Sequence, residues 1–208
     1  MAISSLSKFT VPLASDQSSS SQGLLMPKLK YRFRIMFENF GTSTPTTELT
    51  KQVSDAGRPV VKFTNKVIDV YNSKINYAGK WTWSPISVKI RDDVTGAVAK
   101  LVGEQNQKQF DFFEQSSAAS GIDYKFLMRI EMLDGGNGAH TPTILETWEC
   151  YGCYIDSTTY DAVDYKADDP LLITLSIQPD NCIQTSGGAE APNGRTQGTF
   201  STGAGTRG

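Results

Sequence analysis

The stretch WECYGCYI, Trp148 to Ile155, places two of the chain's three cysteines at the C-x-x-C spacing shared by zinc ribbons and redox enzymes. Whether it is a metal knuckle, a redox couple or a length of strand decides what kind of domain this is. Cys150 and Cys153 are three positions apart, so in a regular strand their side chains point to opposite faces and cannot chelate together. A bulge at Gly152 could turn them the same way, and His140 with Cys182 would then complete a Cys3His set on paper. No second C-x-x-C exists, and the redox setting of a thiol at a helix N-terminus is missing. The stretch reads as strand, with its cysteines behaving as small hydrophobes.

Composition agrees with a domain that needs no metal. The chain has 208 residues, enough for one domain with tails, and a domain of about 150 residues buries roughly 70% of the surface its unfolded chain exposes. The net charge of −2 comes with no run of Lys or Arg, which argues against a dedicated nucleic-acid binder. No apolar window is long enough for a membrane-spanning helix. The N-terminal residues carry no continuous apolar segment and include Asp16, so they do not read as an export signal. Three cysteines in such a chain are most simply free thiols in a reducing compartment.

The ends differ from the middle. Residues 1–23 are Ser-rich and residues 185–208 are rich in Gly and Thr, compositions that cannot bury enough apolar surface to offset ordering entropy. The expected division is a flexible arm at 1–23, a folded domain at 24–184 and a flexible tail at 185–208. In the first strand of that domain, KLKYRFRIMF, Tyr31, Phe33, Ile35 and Phe37 alternate with Lys30, Arg32 and Arg34. KQVSDAGRPVVKF reads as two short strands broken at Gly57-Arg58-Pro59. KWTWSPISVKI, Lys80 to Ile90, reads as one strand in which Pro85 marks an edge or a bulge. Between them Thr64 to Gly79 has no helical period and reads as an extended hairpin or loop.

One helix is expected within Arg91 to Phe113. Asp92 or Asp93 can cap it, and Val94, Ala97, Val98, Leu101 and Val102 recur at helical spacing. Phe110 and Phe113 extend the stripe. Strands follow at Tyr124 to Leu133, Pro142 to Ile155 and Pro170 to Ile177, with DGGNG (134–138) as hairpin chemistry. The order predicts a mainly β domain, a β-sandwich or barrel with one packed α-helix.

No catalytic, cofactor or metal residues emerge. His140, the sole histidine, sits in a turn-like GAHTP with no G-x-S-x-G nearby. The acidic run from Asp156 to Pro170 lacks calcium-loop spacing and reads as a solvated connection. Trp81, Trp83 and Trp148 read as core or interface anchors. Good strands, unsealed edges and a protruding insert describe a molecule built to assemble.

The sequence of elements also resembles a known family. YRFRIMF, the pair ending at RPVVKF, the insert VIDVYNSKINYAG and the strand WTWSPISVKIRDD before the helix look like the tail tube proteins of contractile-tailed bacteriophages, as does the closing WECYGCYIDSTTYDAVDYKADDPLLITLSI. The likeness covers about Leu29 to Cys182. The chain departs from it in its long termini, and in having Gly152-Cys153 where the family often has a proline. The resemblance implies a phage tail tube-like fold and a structural role in the tail of a virion assembled in the host cytoplasm. It implies hexameric rings stacked into a tube that scaffolds the sheath, meets baseplate and tail terminator proteins, and holds a tape measure protein, then genomic DNA without specific binding. It places an inter-ring contact at Asn65, Val67, Ile68, Val70, Tyr71, Asn72, Lys74, Ile75 and Tyr77. Competing readings are an inner tube of a type VI secretion system or tailocin-like machine, a capsid-decorating or carbohydrate-binding β-sandwich, and a zinc-dependent activity at Cys150 and Cys153.

Overall fold

Alternating burial builds most of the fold. The computed structural model describes residues 28–42, 46–135, 142–166 and 168–186. They form, in order, β1 (Phe33–Glu38), α1 (Thr47–Gln52), β2 (Val53–Ala56), β3 (Val61–Val70), β4 (Ser73–Trp83), β5 (Ile86–Arg91), α2 (Ala97–Gln109), β6 (Phe110–Asp111), β7 (Ser116–Ser117), α3 (Gly121–Tyr124), β8 (Phe126–Leu133), β9 (Ile144–Tyr160), β10 (Leu172–Gln178) and β11 (Asn181–Ser186). The chain falls into two units, residues 1–32 and 33–208. In the first, Arg32 N donates to Leu29 O (3.2 Å) and the Arg32 guanidinium lies 5.5 Å from the Tyr31 ring centre. The first strand thus begins at Phe33, and Tyr31, read as part of the inward face, lies in a turn with its side chain exposed.

In the second unit a seven-stranded antiparallel sheet runs β1-β8-β9-β10-β5-β2, with β11 also on β9. The long β9 organises it. Its first half has β8 on one edge and β11 on the other, while its second half pairs with β10. β10 and β11 follow one another along the same edge of β9, from Ile173 opposite Tyr160 to Ser186 opposite Glu146, interrupted at Pro179-Asp180. The sequence reading ended β9 at Ile155 and missed β11, whose polar residues resemble the tail that follows.

Inward residues of both halves meet in one cluster: Ile35 and Phe37 of β1, Ile86, Val88 and Ile90 of β5, Met128 and Ile130 of β8, and Ile173, Leu175 and Ile177 of β10. Each strand alternates these with residues facing outward, as a half-buried antiparallel strand requires. Leu49 of α1 and Val98, Leu101 and Val102 of α2 close the cluster. The fold is mainly β with a packed helix, as expected.

The helix is shorter than its stripe suggests. α2 begins at Ala97 behind Gly96, whose φ of 68° suits a residue without Cβ. Asp93 still accepts from Val98 N (3.3 Å), but Val94 lies outside the helix and is fully exposed. At the other end Phe110 turns extended (φ −151°, ψ 123°), so Phe110 and Phe113 leave the stripe and Phe113 is 93% exposed. The reason lies in Gln109. Its Nε2 donates to Ile155 O (2.9 Å) and its Oε1 accepts from Ile155 N (2.8 Å), so a side-chain amide completes the hydrogen bonding of a β9 residue as a neighbouring strand would.

Pro85 also acts differently from the expectation. It separates β4 from β5 outright, so Lys80–Trp83 belongs to a separate hairpin and Ile86–Ile90 to the main sheet. Lys51 and Gln52, read as strand, end α1. Among the described residues no helix is long and apolar enough to cross a membrane. Most of the DGGNG turn and His140, within 136–141, lie outside the described residues, as do the N-terminal residues to 27 and the tail from 187.

Candidate assembly interface

Two strands stand apart from the sheet. Among the described residues β3 and β4 pair only with each other, from Val61 opposite Trp83 to Val70 opposite Ser73. All ten residues of β3 are exposed. An isolated two-stranded hairpin is marginal in water, and its apolar side chains need a further surface to become stable. The segment predicted as hairpin or loop from Thr64 to Gly79 is thus a longer arm, spanning Val61–Trp83.

The register sorts the arm's side chains. Ile68 faces Ile75 across the strands, with Lys66 opposite Tyr77 on one side of that pair and Val70 opposite Ser73 on the other. Cross-strand partners and positions two apart share a face. One face of the outer arm therefore carries Ile68, Val70, Ile75 and Tyr77, each 44–54% exposed. The opposite face is mostly polar: Asn65 Nδ2 donates to Asn76 Oδ1 (3.1 Å), and Lys74 pairs with Asp69 (3.6 Å), with Val67 between them.

A bulge divides the arm. From Phe63 to Asn65 β3 advances two residues while β4 passes three, Trp81 to Ala78. Gly79 sits in this step, where an added Cβ would come within 2.9 Å of Thr64 O. Inside the bulge the apolar face is the other one, holding Val61, Phe63, Trp81 and Trp83. The sequence reading placed Val61 and Phe63 in a strand and Trp81 as a core or interface anchor; they are 39%, 59% and 48% exposed. Their alternation with Lys62 and Thr82 marks a strand but not which of its faces is covered.

At the tip Tyr71 and Asn72 link the strands. Tyr71 is 99% exposed and adopts φ 48°, a conformation that favours glycine or asparagine. Ser73 Oγ donates to Val70 O (3.1 Å), tightening the turn. The nine residues assigned to the inter-ring contact thus all lie on the outer arm, but on two faces and a tip.

The base is tied to the sheet. Trp83 makes edge contacts with Trp81 (centroids 5.8 Å apart) and Trp148 (6.5 Å), and Gln178 Nε2 donates to Trp83 O (3.0 Å). Arg58, just before β3, pairs with Glu146, a carboxylate only 2% exposed that also accepts from Trp148 Nε1 (2.6 Å) and Gln184 Nε2 (2.8 Å). A buried carboxylate with several donors holds its position rigidly, so the arm's root is fixed while its length is exposed.

The C-x-x-C pair is placed differently from a regular strand. Gly152 (φ 63°) bulges β9, and Cys150 and Cys153 both point into the core with Cys182 opposite Cys150. Asp180 fills the space beside Gly152 and pairs with Lys125. The hydrogen bond with Cys182, then burial, pushes the Cys150 thiol far up, and burial pushes Cys153 up to about 12. Both are thus held as thiols in the metal-free fold, unlike the low-pKa thiolate of a redox nucleophile. Among the described residues no group of three His, Cys, Asp or Glu side chains could hold a metal ion.

No known family pattern matches the chain, and no curated protein matches it. Solved structures do. A chain of the anti-feeding prophage cap, the tube terminating cap, is 13% identical with a TM-score of 0.57, over 85% of this chain and 99% of that one. A chain of the sheath–tube complex of an extracellular contractile injection system in its extended state is 16% identical with a TM-score of 0.55, over 81% and 99%. A chain of the sheath/tube terminator of that kind of system is 15% identical with a TM-score of 0.50, over 77% and 98%. The chain has the phage tail tube-like fold found in contractile injection systems.

Proposed function

We propose that this chain is a structural, non-enzymatic subunit of a tail tube, forming hexameric rings that stack into a hollow conduit. The β3–β4 arm carries the reading: a long hairpin with a fixed root and exposed apolar faces is hard to account for in a monomer and natural between subunits. Among the described residues β1, β2 and β11 each leave one edge unpaired, where neighbouring copies can pair strands into a closed inner barrel that removes those edges. The outer arm, Asn65 to Tyr77, reaches the adjacent ring, with Ile68, Val70, Ile75 and Tyr77 on its apolar face and Tyr71 at its tip.

In a phage tail the tube would scaffold the sheath, end at baseplate and tail terminator proteins, hold a tape measure protein and then conduct genomic DNA. The absence of a Lys or Arg run suits a duct that must release its cargo. A second reading is an inner tube or tube-end subunit of a non-viral injection particle, favoured by the origin of the structures that share the fold. Negative-stain electron microscopy of the purified chain, with its mass in solution, tests the shared core of both readings. Rings or stacked hollow tubes are expected; a chain that remains monomeric at every concentration overturns it.

A further inference from the structure

Among the described residues, nothing covers the apolar faces of the outer arm. We infer that the β3–β4 arm of one copy docks on the acidic β9–β10 connection, Asp161–Lys166 with Asp168–Pro170, of a second copy. This inference rests on the tube reading and names the surface that receives the arm.

Placement comes first. β2 runs antiparallel to β5 and leaves it past Ala56 opposite Val88, and β4 returns to β5 at Ile86, so the arm departs from the Ile86 end. At the other end, Leu172 lies opposite Arg91, Asp92 N donates to Leu171 O (2.9 Å) and Asp161 N donates to Leu172 O (3.2 Å). The β9–β10 connection therefore caps the Arg91 end, about 17 Å away along β5 at the usual strand rise. Within one chain the arm's root and the connection lie at opposite ends of β5, and the apolar side chains of both remain exposed. They meet when copies repeat along that axis, the heterologous contact that builds open stacks.

Charge and polarity match. Residues 61–83 hold four lysines, Lys62, Lys66, Lys74 and Lys80, against Asp69. Residues 161–170 hold four aspartates, Asp161, Asp164, Asp168 and Asp169, against Lys166. Lys62 and Lys66 share the face that carries Ile68, Ile75 and Tyr77. The connection presents Val163 (83% exposed) and Tyr165 (110%) among its carboxylates. It is also shaped by its own side chains, since Asp161 Oδ2 accepts from Leu172 N (3.1 Å) and Asp164 Oδ1 from Lys166 N (3.1 Å). A basic, apolar arm and an acidic, apolar connection supply both register and adhesion, and such charge pairing also disfavours reversed stacking.

A charge swap tests the contact. Lys62→Glu with Lys66→Glu makes arm and connection both acidic, and Asp168→Lys with Asp169→Lys turns the connection's net charge from −3 to +1 and sets it against the basic arm. All four residues are exposed, so melting temperatures should stay at the parent value. Each variant alone should need at least tenfold more protein to form stacks, read by sedimentation and electron microscopy, and an equimolar mixture should stack again. Either variant stacking at the parent's concentration, or a mixture no better than its components, overturns the docking. Parent rings and stacks indifferent to both reversals would overturn only this contact, whereas a parent chain that never forms rings overturns the tube reading and this inference with it.

Discussion

Replacing Ile68 and Ile75 together by serine isolates what the arm contributes to assembly. The two face each other across β3 and β4 and are 50% and 54% exposed, so each has about half its side chain still to bury. Full burial of an isoleucine is worth about 1.5–3 kcal/mol, so completing the burial of the pair supplies about 2 kcal/mol per subunit contact. That is roughly a 30-fold change in each contact's equilibrium constant, multiplied around a ring. The folded monomer should lose less, because the pair packs only across the hairpin, where such contacts contribute about 0.2–1 kcal/mol. Sedimentation velocity would follow the concentration at which stacks appear, and thermal unfolding would follow the subunit. Ile122→Ser is the control, since Ile122 is 84% exposed on α3 and is not part of the arm. Stacking at the parent's concentration in the double variant, Ile68→Ser with Ile75→Ser, would refute the reasoning, as would an equal loss in the Ile122→Ser control.

Other changes test how the sheet supports the arm. Gly152→Ala should destabilise the subunit by at least about 2 kcal/mol in denaturant unfolding, because a Cβ there would collide with the Asp180 side chain on a backbone of φ 63°. Gln109→Ala leaves the N–H and C=O of Ile155 without their side-chain partner; a loss of about 2 kcal/mol and faster amide exchange at Ile155 are expected. Cys150, Cys153 and Cys182 are all buried, so in the folded chain none should react promptly with a thiol reagent at pH 7, and all should react after unfolding. The raised thiol values of Cys150 and Cys153 predict that the protection of these two persists to pH 9.

Much of the sheet is legible in alternation. Ile35 and Phe37, Ile86 to Ile90, and Ile173 to Ile177 each show their buried face directly in the sequence, because a strand covered on one side must alternate. The arm is legible as an insert but not in extent, since Val61, Phe63 and Trp81 have the same pattern as core strands and only the tertiary fold leaves them exposed. Phe110 and Phe113 mislead for a related reason. Their spacing continues the stripe of α2, but the amide pairing of Gln109 with Ile155 fixes the end of the helix, and no local pattern records that long-range contact. In WECYGCYI the period of two predicts opposite faces for Cys150 and Cys153, and the bulge at Gly152, held by Asp180 and Lys125, places both inside. The residues expected at the inter-ring contact stand out because their apolar content exceeds what a loop needs; their division into two faces required the register.

The most direct test compares the intact chain with one in which Thr64–Lys80 is replaced by Asn-Gly, joining Phe63 to Trp81 across an existing pair. Electron microscopy of both, at equal concentration, reads rings and stacks separately. The account predicts stacked tubes from the intact chain, and rings that do not stack, with the subunit's thermal stability preserved, from the shortened one. Monomers from the intact chain, or tubes of equal length from both, would contradict it.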